Sequence, residues 1–181
     1  MLPRLRPGMR GTMPGPYPSS GAANSILIEA ENRELSVDPM KLQKLLYLAH
    51  GYYLAASQMP WIDELFQVWD YGPVAPSIYH EFKSLGSSNI PRGCRANTLV
   101  HDGYGFRTEV AAPVTDCDDL GQAVVNFILN TYGDKTGVYL SNLTHKIDSP
   151  WDTMRKLNNG IRNVDIPNGV IQNYFATLLS Q

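Results

Sequence analysis

Four histidines, His50, His80, His101 and His145, are the side chains of this 181-residue chain whose chemistry is most adaptable near neutral pH. His50, His80 and His145 could converge with nearby carboxylates on a metal ion, although their spacing matches no ligand motif. On a helical wheel His50 falls about 60–100° from the centre of the surrounding apolar stripe, a rim position that suits a capped histidine better than a ligand. The sequence holds no Gly-rich phosphate loop, no H-E-x-x-H and no paired C-x-x-C, and its serines lack a nucleophile-elbow context. Cys94 and Cys117 read as ordinary thiols in a reducing compartment. These residues predict no catalytic set, no metal and no cofactor.

Two local clusters remain. Thr144-His145 is followed by Ser149-Pro150-Trp151, where Asp148 or Ser149 is expected to cap a helix and Trp151 to anchor it in the core. A functional role would instead put His145 on a partner surface or in a pocket. Tyr71-Gly72-Pro73-Val74 reads first as a rigid turn, because Pro73 disfavours a helical Gly72, and second as a recognition surface. Tyr47, Tyr52 and Tyr53 gather on one helix, with Tyr79 expected nearby. Few basic residues interleave with them, which disfavours a base-stacking platform and leaves packing or a protein interface.

The elements that must position these residues follow from periodicity and caps. Residues 22–33 predict a helix. Ser36 and Asp38 are capping types and Pro39 fits a first turn, so a second helix starts there. Leu42, Leu45, Leu46, Ala49, Tyr53 and Leu54 form its apolar stripe, with Lys41 and Lys44 on the opposite side. Gly51 costs about 1 kcal/mol within that helix, which points to another element packing close to it. A strand over 66–69, a short helix over 76–85 and a hairpin pairing 98–100 with 106–110 come next. Thr115 or Asp116 is expected to open a helix closed by Gly133. Helices over 136–146, at Ser149-Pro150-Trp151 and from Pro167 complete the chain. The fold class is mainly α (α+β): a single compact domain of six or seven helices with a small antiparallel β-hairpin or sheet.

Hydrophobic residues at 43% supply a core, and charged residues make up 18% of the chain. Three of the 15 basic residues, Arg4, Arg6 and Arg10, fall within residues 1–21 with no acid. The remainder therefore carries 12 basic against 17 acidic residues, a net of −5. That balance makes nucleic acid an unsuitable partner. Residues 1–21 predict a flexible Pro/Gly-rich leader and residues 22–181 the domain. No apolar run reaches the ~20 residues of a membrane span, and prolines stand where a signal peptide needs its apolar stretch, so the expected location is the cytoplasm.

Several blocks taken together resemble a known family. Lys41-Leu42-Gln43-Lys44-Leu45-Leu46-Tyr47 with His50-Gly51-Tyr52-Tyr53-Leu54 is similar to the opening signature of the Panacea domain, found in SocA-like antitoxins and phage-associated GepA-like proteins. The similarity continues through Trp69, Tyr71-Gly72-Pro73-Val74, Tyr79 and Phe82. It resumes at Tyr132-Gly133, Leu140, Thr144-His145 and Pro150-Trp151 and ends at Tyr174-Phe175, covering about residues 24–176. The resemblance implies a bacterial or prophage protein that neutralises a co-encoded protein toxin by direct binding. The SocA type implies an alternative, an adaptor that delivers its toxin to an AAA+ protease. It implies no catalytic residues. Lys41, Lys44, Tyr47, His50, Trp69, Tyr71, Gly72, Pro73, Tyr79, Thr144, His145 and Trp151 are the signature and candidate partner-binding positions, and a homo-oligomer is compatible with them. A metal-dependent enzyme centred on His50 and His145 is the competing class.

Overall fold

The computed structural model describes residues 15–180. Among them are seven α-helices: α1 (Ser19–Asn32), α2 (Pro39–Ser57), α3 (Pro76–Phe82), α4 (Asp119–Tyr132), α5 (Gly137–Thr144), α6 (Pro150–Leu157) and α7 (Asn168–Leu179). Five short strands accompany them: β1 (Gln67–Trp69), β2 (Gly72–Val74), β3 (Asn97–His101), β4 (Phe106–Val110) and β5 (Val164–Asp165). The fold is mainly α with two small antiparallel sheets, one ordered β2-β1-β5 and the other the β3-β4 hairpin.

Helix α2 is the axis of the domain. The Asp38 carboxylate accepts from the Lys41 amide at 2.9 Å, and Pro39 occupies the first turn, so the start is fixed by its own sequence. From Lys41 to Leu54 every residue is buried, because α1, α4, α5, α7, α3 and β2 surround the helix. The sequence pattern predicts a single stripe with lysines outward, and the structure corrects this. A helix enclosed on all sides needs apolar or internally satisfied residues all round, and Lys41 and Lys44 belong to the satisfied class. Gly51 meets its expected neighbour, since a Cβ there would lie 2.3 Å from the Phe175 ring of α7.

Other boundaries shift for local reasons. The leader predicted to reach residue 21 ends earlier. Tyr17 exchanges backbone hydrogen bonds with Trp61 and Asp63 at 2.9 Å each, and α1 begins at Ser19. Ser19, Gly21, Ala22 and Ala23 give little hydrophobic signal but pack closely; a Cβ on Gly21 would sit 2.8 Å from the Ala112 carbonyl oxygen. The earlier part of the leader, residues 1–14, lies outside the described residues.

The turn assigned to Tyr71-Gly72-Pro73 moves back to Asp70-Tyr71, and Gly72–Val74 is a strand. Pro73 is tolerated because β2 is an edge strand, where a missing N–H breaks no ladder. Helix α4 starts after a single 3-10 turn at Thr115–Cys117, with Asp118 rather than Thr115 or Asp116 as its cap. The helix expected over 76–85 ends at Phe82 and continues as a 3-10 turn, Lys83–Leu85.

Candidate interaction site

The signature side chains of α2 turn inward and hold backbone. Lys41 Nζ donates to the carbonyls of Ser36 and Gly133, both at 2.7 Å, which joins the loop before α2 to the end of α4. Gln43 completes an amide pair with Ala75: its Oε1 accepts from the Ala75 N–H at 2.8 Å and its Nε2 donates to the Ala75 carbonyl at 3.2 Å. Lys44, only 1% exposed, donates from Nζ to the Pro73 carbonyl at 2.8 Å. It forms no ion pair with a carboxylate among the described residues, and burial lowers its pKa to about 7.

His50 is fully buried rather than at the rim. The Ile62 N–H donates to its Nδ1 at 3.4 Å, so Nε2 carries the proton and donates to Asn168 Oδ1 at 3.0 Å. Burial lowers its pKa to about 4, which keeps the ring neutral. The disfavoured alternative, a His50–His80–His145 convergence, does not occur. His80 is exposed on α3, beside Lys83, and His145 stacks on Trp151 with ring centroids 4.0 Å apart. Among the described residues, no group of three His, Cys, Asp or Glu side chains is placed to hold a metal ion.

Around Lys44 a chain of hydroxyl-to-carbonyl bonds fastens the β1-β2 turn to α5 and α6. Ser141 Oγ donates to the Tyr71 carbonyl at 2.9 Å, Thr144 Oγ1 to Ser141 at 2.7 Å, and Ser149 Oγ to Thr144 at 2.8 Å. Trp151 Nε1 donates to the Trp69 carbonyl at 2.8 Å. Ser149 also caps α6 by accepting from the Asp152 N–H at 3.2 Å, the structural role expected for this cluster. Each hydroxyl in the chain is committed to a backbone carbonyl, not to a histidine or carboxylate that would activate it.

Gly72 is what lets these parts meet. Its φ of +101° disfavours any side chain, and a Cβ there would lie 2.5 Å from Thr144 Oγ1 and 3.0 Å from Lys44 Nζ. The candidate positions thus divide into two layers. Lys41, His50, Gly72, Pro73, Thr144 and Trp151 form an inner layer that fixes backbone. Lys44 belongs to both layers, because with Trp69, Tyr71 and Tyr79 it lines a surface groove of about 550 Å³.

In that groove the Trp69 and Tyr79 rings lie 4.7 Å apart, and Tyr71 is 68% exposed. Met40 adds an apolar wall, and Arg162 bonds Asp70 at 2.9 Å on the rim. Tyr47 is directed elsewhere, to a cavity of about 200 Å³ shared with Tyr132 and Tyr174. Its hydroxyl has no hydrogen-bond partner among the described residues, and burial raises its pKa. Sequence reasoning missed Gln43, Met40 and Arg162. Gln43 was visible as a polar residue between two apolar turns, whereas Arg162 reaches the groove only through the tertiary fold.

An exposed aromatic groove mounted on a hydrogen-bonded scaffold is suited to binding. Comparison with known proteins gives the class. The family described as Antitoxin SocA-like, Panacea domain, matches residues 42–152, and the chain belongs to that family. The chain is 29% identical over 132 residues to Antitoxin SocA of Caulobacter vibrioides, covering 73% of this chain and 67% of that protein. No solved structure matches it. No helix among the described residues is long and apolar enough to cross a membrane.

Proposed function

We propose that this protein is an antitoxin that neutralises a co-encoded protein toxin by direct contact, and that the Trp69–Tyr71–Tyr79 groove receives an apolar anchor residue of that toxin. The observation that carries this reading is the placement of Tyr71, 68% exposed over the groove. Its carbonyl is pinned by Ser141, so the ring is presented from a fixed backbone. Large aromatic side chains on a pre-ordered frame lose little entropy on binding and dominate interface energetics. The acidic balance outside residues 1–21, net −5, adds steering toward a basic toxin surface. The protein acts in this reading as a cytoplasmic, non-enzymatic binding partner.

Co-expression with the product of the adjacent gene tests it, read as growth rescue together with co-purification. The expected result is rescue with a stable complex, weakened by roughly tenfold or more in Tyr71→Ala, as for a hot-spot aromatic. Neither rescue nor complex would end the proposal. Rescue without a complex, lost in a host lacking its AAA+ proteases, would replace sequestration with the adaptor mechanism.

A further inference from the structure

The β3-β4 hairpin stands apart from the core. Its root is held firmly: the Asn24 side chain accepts from the Ala96 N–H at 2.7 Å and donates to the carbonyls of Ala96 and Ala111 at 2.9 and 2.8 Å. Beyond that root every residue of β4 is exposed.

The phase of the hairpin ladder shows which backbone groups remain free. Asp102 N–H bonds the Gly105 carbonyl and Ala111 N–H bonds the Ala96 carbonyl, both at 3.1 Å, and the register pairs Asn97 with Val110 through to His101 with Phe106. Hydrogen-bonded and non-bonded pairs alternate in an antiparallel ladder, so Arg107 and Glu109 bond across to β3. Phe106, Thr108 and Val110 therefore turn their N–H and C=O groups outward. No partner for those three N–H groups occurs among the described residues. The opposite edge is treated differently, because Glu81 accepts from the Asn97 N–H at 3.2 Å and from its side-chain amide at 2.7 Å.

The sequence of the open edge is self-complementary. Pairing Phe-Arg-Thr-Glu-Val antiparallel with itself about Thr108 sets Arg107 opposite Glu109, Phe106 opposite Val110 and Thr108 opposite Thr108. All three are favourable cross-strand combinations. The phase agrees: Thr108 and the Phe106–Val110 pairs would be hydrogen-bonded, while Arg107–Glu109 falls at the closer non-bonded positions, about 4.5 Å between Cα atoms. Leu99, Phe106 and Val110, which are 70%, 76% and 62% exposed, share one face of the hairpin, and pairing would merge two such faces.

We propose that two copies of this chain associate about a two-fold axis through Thr108, joining their β4 edges into one four-stranded antiparallel sheet. Charge complementarity in this register favours a second copy over an arbitrary strand. Five paired residues bury less than the about 1,200 Å² of a standard interface, so the association is weak and concentration-dependent.

Sedimentation of the full chain from micromolar to millimolar concentration tests this. A monomer–dimer equilibrium is expected. Arg107→Glu sets like charges across both symmetric contacts and should weaken the dimer by roughly tenfold. The double variant Arg107→Glu with Glu109→Arg re-forms opposite pairs and should restore it, which also controls for folding. Thr108→Pro removes only an outward N–H and should leave a folded monomer. A chain monomeric throughout, a dimer indifferent to Thr108→Pro, or a charge exchange that fails to restore association would overturn the proposal. So would a monomeric chain whose toxin co-purification is lost in Thr108→Pro, because the edge would then serve the toxin.

Discussion

Replacing Gly51 with alanine sets two effects of opposite sign against each other. In the middle of α2 the exchange favours the helix by about 1 kcal/mol through backbone entropy alone. The new Cβ, however, would lie 2.3, 2.4 and 2.6 Å from Cε2, Cδ2 and Cζ of Phe175. Carbon atoms pack at about 3.5–4.0 Å, so the ring or the whole of α7 must retreat by about 1 Å. Two aromatic rings confine Phe175 against this movement. It is 1% exposed, with the Tyr47 and Tyr52 rings edge-on to it at centroid distances of 5.7 and 5.0 Å. Overpacking of this kind costs about 1–3 kcal/mol, and an overlap of three ring atoms belongs near the top of that range. The net expectation is a loss of about 2 kcal/mol after the propensity gain is subtracted. In urea the midpoint should fall with an unchanged slope, and the thermal midpoint should drop by about 4–8 °C for a chain of this size. Phe175→Leu in the same background removes the ring and should return much of the loss, a coupling of contacting residues that a double-mutant cycle reads directly. Gly51→Ala as stable as the parent, or equally costly with and without the Phe175 ring, would refute the steric account.

Four further outcomes follow from buried positions. Gly72→Ala combines a φ of +101° with a Cβ 2.5 Å from Thr144 Oγ1, and should cost about 2–5 kcal/mol in urea unfolding while distorting the groove. His50 stays neutral in the fold down to about pH 4, whereas an unfolded chain takes up the proton near 6.5, so stability should fall as pH drops from 6.5 toward 4; His50→Gln should flatten this part of the profile. Lys44, with a folded pKa of about 7 against 10.5 unfolded, should make stability rise from pH 7 upward toward 10.5, a slope absent from Lys44→Met; equal slopes in the two proteins would remove the buried-amine account. Asn24→Ala leaves the Ala96 N–H and the Ala111 carbonyl at the hairpin root unsatisfied and should cost about 3 kcal/mol, with amide exchange accelerated over residues 96–111.

Local chemistry made part of this fold legible. Asp38-Pro39 announces α2, Ser149-Pro150 announces α6, and the Gly-rich tip between alternating residues announces the β3-β4 hairpin. The close approach at Gly51 was readable too, because an unforced glycine in a helix interior is otherwise unfavourable. What escaped depended on contacts distant in sequence. A helical wheel assigns Lys44 to solvent because it cannot know that β2 will cross that face and offer the Pro73 carbonyl. The two-residue strand β5 carries no periodicity and exists only because β1 pairs with it. The start of α1 escaped because small residues that pack by backbone proximity look like a linker when read by hydrophobicity.

The two-layer arrangement also explains why the family resemblance was recognisable while its partner was not. Lys41, Gln43, Lys44 and His50 each satisfy a particular backbone group or loop residue, so changing one leaves a buried polar atom without a partner, at about 1–3 kcal/mol. Such residues carry the fold's identity, and of them only Lys44 also lines the groove. The exposed aromatic rim and the β4 edge carry no comparable internal obligations: Tyr71 presents its ring to solvent while only its carbonyl is bound, and every β4 side chain is exposed. Substitutions there are limited by what they bind rather than by folding. A scaffold of this kind can keep its inner hydrogen bonds while its outer surface is fitted to different partners. Exchanging Tyr71 should therefore change complex formation with little change in stability, whereas exchanging Gln43 should do the reverse.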